Sequence, residues 1–155
     1  MPVSSLRRWP QTTTKLELKV SHPMTWMEWY DSLAKPSWTP APATISLIWA
    51  LLYPVIVASF GFVFVQALRR KVPSKVALPF AVNLVANLLF MPIFAGLRSV
   101  PLAAADIVIV WTTLIWCVVA VWPHSRWVAV AQLPYFVWVS IATVLQLSIT
   151  AMNWS

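Results

Sequence analysis

Between Lys35 and Arg69 no side chain carries a formal charge, and the same holds from Val76 to Leu97 and from Trp127 to Ser155. A further stretch, Ser99 to Ser125, contains only Asp106. A helix needs about 20 apolar residues to cross a hydrocarbon layer about 30 Å thick, and every one of these stretches is long enough. They lack the period-two alternation of barrel strands and are about twice the length a tilted strand requires. Of the chain's 155 residues, 60% are hydrophobic and 10% charged, too few polar groups to cover a water-facing surface. The pattern predicts an all-α, polytopic membrane helix bundle with four transmembrane helices.

Spans are expected near 44–68, 76–96, 102–122 and 127–152, so that residues 44–155 form the bundle. The linkers are short: Arg69 to Lys75, Gly96 to Pro101, and Pro123 to Arg126. Short linkers make neighbouring helices antiparallel. Pro54, Pro79, Pro92 and Pro134 fall inside spans, where each removes a backbone donor and either kinks its helix or occupies a first turn. Ahead of the bundle lies an aromatic and proline-rich loop, 26–43, and before that a polar tail, 1–25, expected to be disordered. The tail has no apolar core of the kind a secretory signal needs, while its basic, hydroxyl-rich composition is compatible with an organelle leader.

The net charge of +7 does not point to nucleic acid, because four of the eleven basic residues, Arg69, Arg70, Lys71 and Lys75, share one short linker. Together with Arg126 they outweigh Lys35 and Arg98 on the opposite side, which predicts a cytoplasmic location for the first and third linkers. Catalytic and metal chemistry have little to build on. Cys117 is alone, His22 and His124 lie in separate polar regions, and Ser125 beside His124 is not a triad. With Gly61 and Gly96 as the only glycines, there is no phosphate-cradling loop.

Polar side chains within spans face a bundle interior more often than lipid. Asn83 and Asn87 are four residues apart and share one helix face, about one turn from Met91. Trp49 and Tyr53 share another, and Tyr135, Trp138, Ala142 and Gln146 a third, with Asp106 near the start of its span. These residues suit either interhelical packing and hydrogen-bond glue or an apolar pocket with flat rings, a few amides and one carboxylate. Tryptophans near the span ends, including Trp26, Trp29, Trp38, Trp122, Trp127 and Trp154, suit an aromatic belt at the headgroups. Ser46 with Ala50, and Ala77 with Ala81, permit close helix approach.

Four blocks in order resemble the translocator protein and tryptophan-rich sensory protein (TspO/MBR) family, over roughly residues 29–153. The first is Trp29-Tyr30, Leu33, Lys35-Pro36-Ser37-Trp38 and Pro40; the second is Trp49, Leu52-Tyr53 and Ala58. The third runs through Asn87, Pro92-Ile93-Phe94, Gly96, Leu102-Ala103 and Asp106, and the last through Pro134-Tyr135, Trp138, Ala142-Thr143 and Leu145. The resemblance implies a five-helix bundle, of which the first helix is not expected here because the residues before Trp26 are polar. It implies a hydrophobic ligand, a tetrapyrrole such as porphyrin or haem, or a sterol or other isoprenoid. It also implies a receptor or carrier with a sensory or stress-related role, and a tendency to dimerise. Porphyrin breakdown in the same pocket and small-molecule transport are the alternatives.

The ligand contacts expected from these readings are Trp29, Tyr30, Lys35, Pro36, Trp38, Trp49, Tyr53, Asn83, Asn87, Phe90, Asp106, Tyr135, Trp138, Ala142 and Gln146. The 29–40 segment is expected to act as a lid, with Lys35 pairing with a propionate and the lid attached to the bundle only at its Pro40 end. No catalytic residue, metal or cofactor is expected. Gln146 stands where the family usually has asparagine, and Leu147 and Ala151 occupy positions near those of the Tyr and Arg in the animal proteins' cholesterol motif.

Overall fold

The computed structural model describes residues 23–154; the expected disordered tail therefore lies outside the described residues up to position 22. Four helical segments are long and apolar enough to cross a membrane: Pro42–Leu68, Ser74–Gly96, Val100–Val121 and Arg126–Met152. The chain folds as a bundle of these four in which each runs antiparallel to the next. We label α1 Trp26–Ser32, α2 Pro42–Leu68, α3 Ser74–Met91, α4 Val100–Val121, α5 Arg126–Ala131 and α6 Leu133–Met152.

Prolines mark where the backbone departs from a regular helix. Pro92 cannot donate a backbone bond, and α3 passes there into a π-helical turn, Pro92–Gly96, closed by Leu97 N–H donating to the Pro92 carbonyl at 2.9 Å. Pro134 divides the last span into α5 and α6, which meet at Gln132. Gln132 is fully buried, and its side-chain amide donates to Ser59 Oγ at 2.9 Å and to the Val128 carbonyl, so the break is also a tie to α2. Pro42 lies in the first turn of α2, where a missing donor costs nothing.

The centre of the bundle is α4, which packs against both α3 and α6. Its buried side chains at Ala103, Ile107, Val110, Leu114, Cys117 and Val121 recur every three or four residues, as a single inward stripe requires. Phe60 and Phe80 join α2 to α3 edge to face, with ring centroids 4.8 Å apart. Lipid is as apolar as these side chains, so close contact and interhelical hydrogen bonds hold the helices together rather than withdrawal from water. Leu47, Leu51, Val57 and Leu68 on α2, each more than 60% exposed, present its outer face to hydrocarbon.

The 26–43 segment is not all loop. Thr25 accepts from Glu28 N–H at 3.2 Å while the Glu28 carboxylate accepts from Thr25 N–H at 2.6 Å, a capping box that starts the short helix α1. These bonds also hold the Glu28 carboxyl below its ordinary pKa of 4.5, the bond from the Thr25 backbone being the main cause. The segment lies at the end of the bundle where α2 and α4 begin and α6 ends. The basic linker 69–73 and the 122–125 linker, which precedes Arg126, lie together at the opposite end.

Candidate functional site

At the α1 end, one aromatic side chain organises the contacts. Phe94, on the π-helical turn, is 7% exposed and receives Trp29 edge-on at 5.1 Å, Tyr30 edge-on at 6.1 Å and Phe90 stacked at 5.7 Å. Ala103 completes the floor of this cluster. Phe90 touches both this cluster and the main core, so it connects the α1 segment to the bundle interior. Trp29 and Leu33 also pack on Val100, Leu145 and Ile149, at the ends of α4 and α6.

Polar contacts anchor the segment at further points. The Asn153 side chain forms a two-way pair with the Ala34 backbone, accepting from its N–H at 3.0 Å and donating to its carbonyl at 2.8 Å. The Arg98 guanidinium donates to the Met24 carbonyl. The expectation of attachment only at the Pro40 end is therefore corrected: both α1 and the loop after it are bound to the bundle. Arg98 occupies a left-handed backbone position, φ 51°, that favours glycine, and its side chain is used to hold the segment.

Lys35 lies over the Tyr30 ring at 4.6 Å and donates to the carbonyls of Tyr30, Leu33 and Asp31. An ammonium here satisfies carbonyls at the C-terminal end of α1 and stands at the negative end of its dipole. Burial, with the Asp31 charge beside it, raises the Tyr30 phenol pKa above its ordinary value, so the buried hydroxyl stays neutral. Pro36 is half-buried and starts a turn in which Thr39 donates to its carbonyl, while Trp38 is about half exposed and stands outside the Phe94 cluster.

Deeper in the bundle, Trp49 and Tyr53 stack on α2 at 5.3 Å, and Trp49 meets Tyr135 of α6 edge-on at 6.1 Å. The Tyr135 hydroxyl donates to Asn83 Oδ1 at 3.1 Å and accepts from Asn87 Nδ2 at 3.0 Å. Asn83 in turn donates to the Val110 carbonyl at 2.8 Å and Thr113 Oγ1 at 3.0 Å. Three helices are thus joined through one asparagine. Gln146 donates to the Val100 carbonyl at 3.2 Å, tying α6 to the start of α4, and Ala142 packs against the main core.

Asp106 and Trp138 differ from these. Both are buried, at 6% and 8% exposure, yet Asp106 Oδ2 and Trp138 Nε1 have no hydrogen-bond partner among the described residues. Buried polar atoms in proteins are normally paired, so each is a point available to something else. Two hollows, one of about 40 Å³ beside His124 and an open one along residues 67–74, lie at the basic end, away from the aromatic groups.

The expected residues therefore form two neighbourhoods, the α1 cluster and the Trp49–Tyr53–Tyr135 platform with its two asparagines, while Asp106 on α4 and Trp138 on α6 each stand apart with one unpartnered buried atom. Phe94, Asn153 and Thr113 were not among the expected contacts. Of these only Phe94 had a signal, its place within the Pro92-Ile93-Phe94 block. The α1 helix also had one, the Thr25-x-x-Glu28 spacing.

Known proteins carry the same arrangement of sequence. YtaB, an uncharacterized membrane protein of Bacillus subtilis, is 33% identical over 126 residues, 81% of each chain. The tryptophan-rich sensory protein of Cereibacter sphaeroides is 35% identical over 54% of this chain and 51% of its own. The tryptophan-rich protein TspO of Bacillus cereus is 50% identical over 36 residues, which span only 24% of its length. The TspO/MBR family as a whole matches residues 12–152, beginning inside the polar tail and running through all four spans. With that match covering the α1 segment, the asparagine network and the last helix alike, the chain belongs to the TspO/MBR family.

Proposed function

We propose that this chain is an integral-membrane receptor or carrier for a large, flat hydrophobic ligand, a tetrapyrrole such as porphyrin or haem in preference to a sterol or other isoprenoid. The observation that carries this reading is that two of the three unpartnered buried side-chain atoms among the described residues are the Trp138 indole N–H and Asp106 Oδ2, the third being Gln132 Oε1 at the α5–α6 break. The first two offer a ligand one donor and one acceptor in apolar surroundings, where such bonds discriminate strongly. Trp49 and Tyr53 add flat rings for stacking, and Tyr53 is 44% exposed on the lipid side, which suits entry from the bilayer. Membership of the family supports the reading. The name of the Cereibacter sphaeroides relative, tryptophan-rich sensory protein, supports a sensory role.

In this reading α1 and the loop after it cover the ligand's end of the bundle. Lys35 reaches a propionate only by leaving the three carbonyls that hold it, so binding and release of the cover are coupled. The exposed small residues Ser46 and Ala50 of α2 leave room for a second copy of the chain. Titration of protoporphyrin into the purified protein tests the function: quenching of tryptophan fluorescence that saturates at micromolar ligand is expected. Unchanged fluorescence and an unshifted porphyrin absorption band would overturn it.

A further inference from the structure

The four acidic residues of the chain are Glu17, Glu28, Asp31 and Asp106, and none falls between Lys35 and Asp106 or after it. The end of the bundle formed by residues 67–75 and 122–126 consequently holds Arg69, Arg70, Lys71, Lys75 and Arg126 with no carboxylate in either linker. An open groove of about 520 Å³ runs along this end, lined by Leu68, Arg70, Lys71, Val72, Pro73 and Ser74. It combines two cations with apolar side chains, and Leu68 at its edge is 83% exposed. The first turn of α3 has no side-chain cap; Val76 N–H donates to the Pro73 carbonyl, and the amides of Ser74 and Lys75 add further donors.

The backbone at Arg70 is unusual. Lys71 N–H donates to the Gln66 carbonyl at 2.9 Å and Arg70 N–H to the Ala67 carbonyl at 3.0 Å, closing α2 with a turn that places Arg70 in the left-handed region, φ 54°. Glycine is the residue that adopts this conformation without strain. Arg98, the other residue so placed, uses its guanidinium to hold Met24. The Arg70 side chain makes no hydrogen bond or ion pair among the described residues, and it lines the groove instead.

We propose that this groove is a binding site for the headgroup of an anionic phospholipid from the adjacent leaflet. Arg70 and Lys71 meet the phosphate, the α3 amides add to them, and the acyl chains lie against Leu68 and the outer faces of α2 and α3. The choice of lipid rests on charge complementarity and on the groove's position at the boundary between a basic linker and two lipid-facing helices. A soluble anion would have no use for the apolar rim.

The purified full-length chain in neutral detergent, titrated separately with palmitoyl-oleoyl phosphatidylglycerol and phosphatidylcholine and read by native mass spectrometry, tests this. Phosphatidylglycerol is expected to bind preferentially. The double variant Arg70→Gln/Lys71→Gln should lose about thirtyfold in that affinity, whereas Arg7→Gln/Arg8→Gln, with the same change in net charge, should retain it. Arg70→Gly relieves the backbone, so it should unfold at a higher temperature and still bind phosphatidylglycerol about fivefold more weakly. Equal binding of the two lipids would overturn the proposal, as would equal losses in the two double variants. Displacement of phosphatidylglycerol by inorganic phosphate, beyond that caused by chloride at matched ionic strength, would likewise reassign the groove to a free anion.

Discussion

The Tyr135 hydroxyl stands between two asparagines of α3, donating to Asn83 Oδ1 at 3.1 Å and accepting from Asn87 Nδ2 at 3.0 Å. Because α3 also reaches α4 through Asn83, this phenol is the point at which α6 joins a three-helix network. Tyr135→Phe removes one partner from each asparagine without changing the ring. We expect a loss of about 1 kcal/mol, the scale of interhelical hydrogen bonds in membranes, measured by unfolding in mixed detergent. Asn83→Ala should cost more, because it removes three side-chain bonds at once, those to Tyr135, Thr113 and the Val110 carbonyl.

Trp138→Phe should separate binding from stability. The indole N–H has no partner among the described residues, so its removal takes away a buried unpaired donor and should leave the unfolding midpoint unchanged or raised. Porphyrin affinity should fall by about tenfold, the worth of one buried hydrogen bond to a ligand. A parallel fall in stability would show instead that the indole acts by packing alone.

Phe94→Ala should release α1 while leaving the spans in place. Trp29 and Tyr30 both meet this ring, and large-to-small changes of buried phenylalanine cost about 3 kcal/mol. Faster amide hydrogen exchange confined to residues 26–34 is the expected result. Slow exchange there, equal to that of the parent, would show that the polar anchors suffice.

Asn153→Ala removes both bonds to the Ala34 backbone and nothing from the α1 capping box. Exchange should rise at Ala34 and Lys35 while α1 itself stays protected by Phe94. Ligand on- and off-rates should both increase if this loop gates entry, which stopped-flow fluorescence measures.

Acid should loosen the start of α1. The Glu28 pKa is lower in the folded protein than its ordinary 4.5, so its contribution to the helix is complete above that value and is lost as the pH falls through the folded one. The protection factors of the α1 amides, exchange rates divided into the intrinsic rates at each pH, should fall below pH 4.5 in the parent, and Glu28→Gln should remove that fall.

How much of this was legible beforehand differs from residue to residue. The long uncharged stretches announced the spans because hydrocarbon tolerates few charges, a constraint each segment meets by itself. The capping box at Thr25 and Glu28 was equally local and would have revealed α1. Asn83, Asn87 and Tyr135 were recognisable as inward-facing by their spacing, but spacing alone left pocket and glue as equal readings. The tertiary fold gives Asn83, Asn87 and Gln146 protein partners and leaves Asp106 Oδ2 and Trp138 Nε1 without them among the described residues.

The sequence by itself determined the class of fold, the number of long apolar helices and the family, because span length, charge exclusion and ordered motifs are properties of a single strand of chain. Tertiary structure alone decided that Phe94 is the seat of α1, that Asn153 holds Ala34 across 119 residues, and that Lys35 turns inward onto carbonyls. These depend on which ends of which helices coincide. In a bundle whose neighbours and solvent are equally apolar, close packing and a few polar pairs decide that register, and no local pattern encodes it.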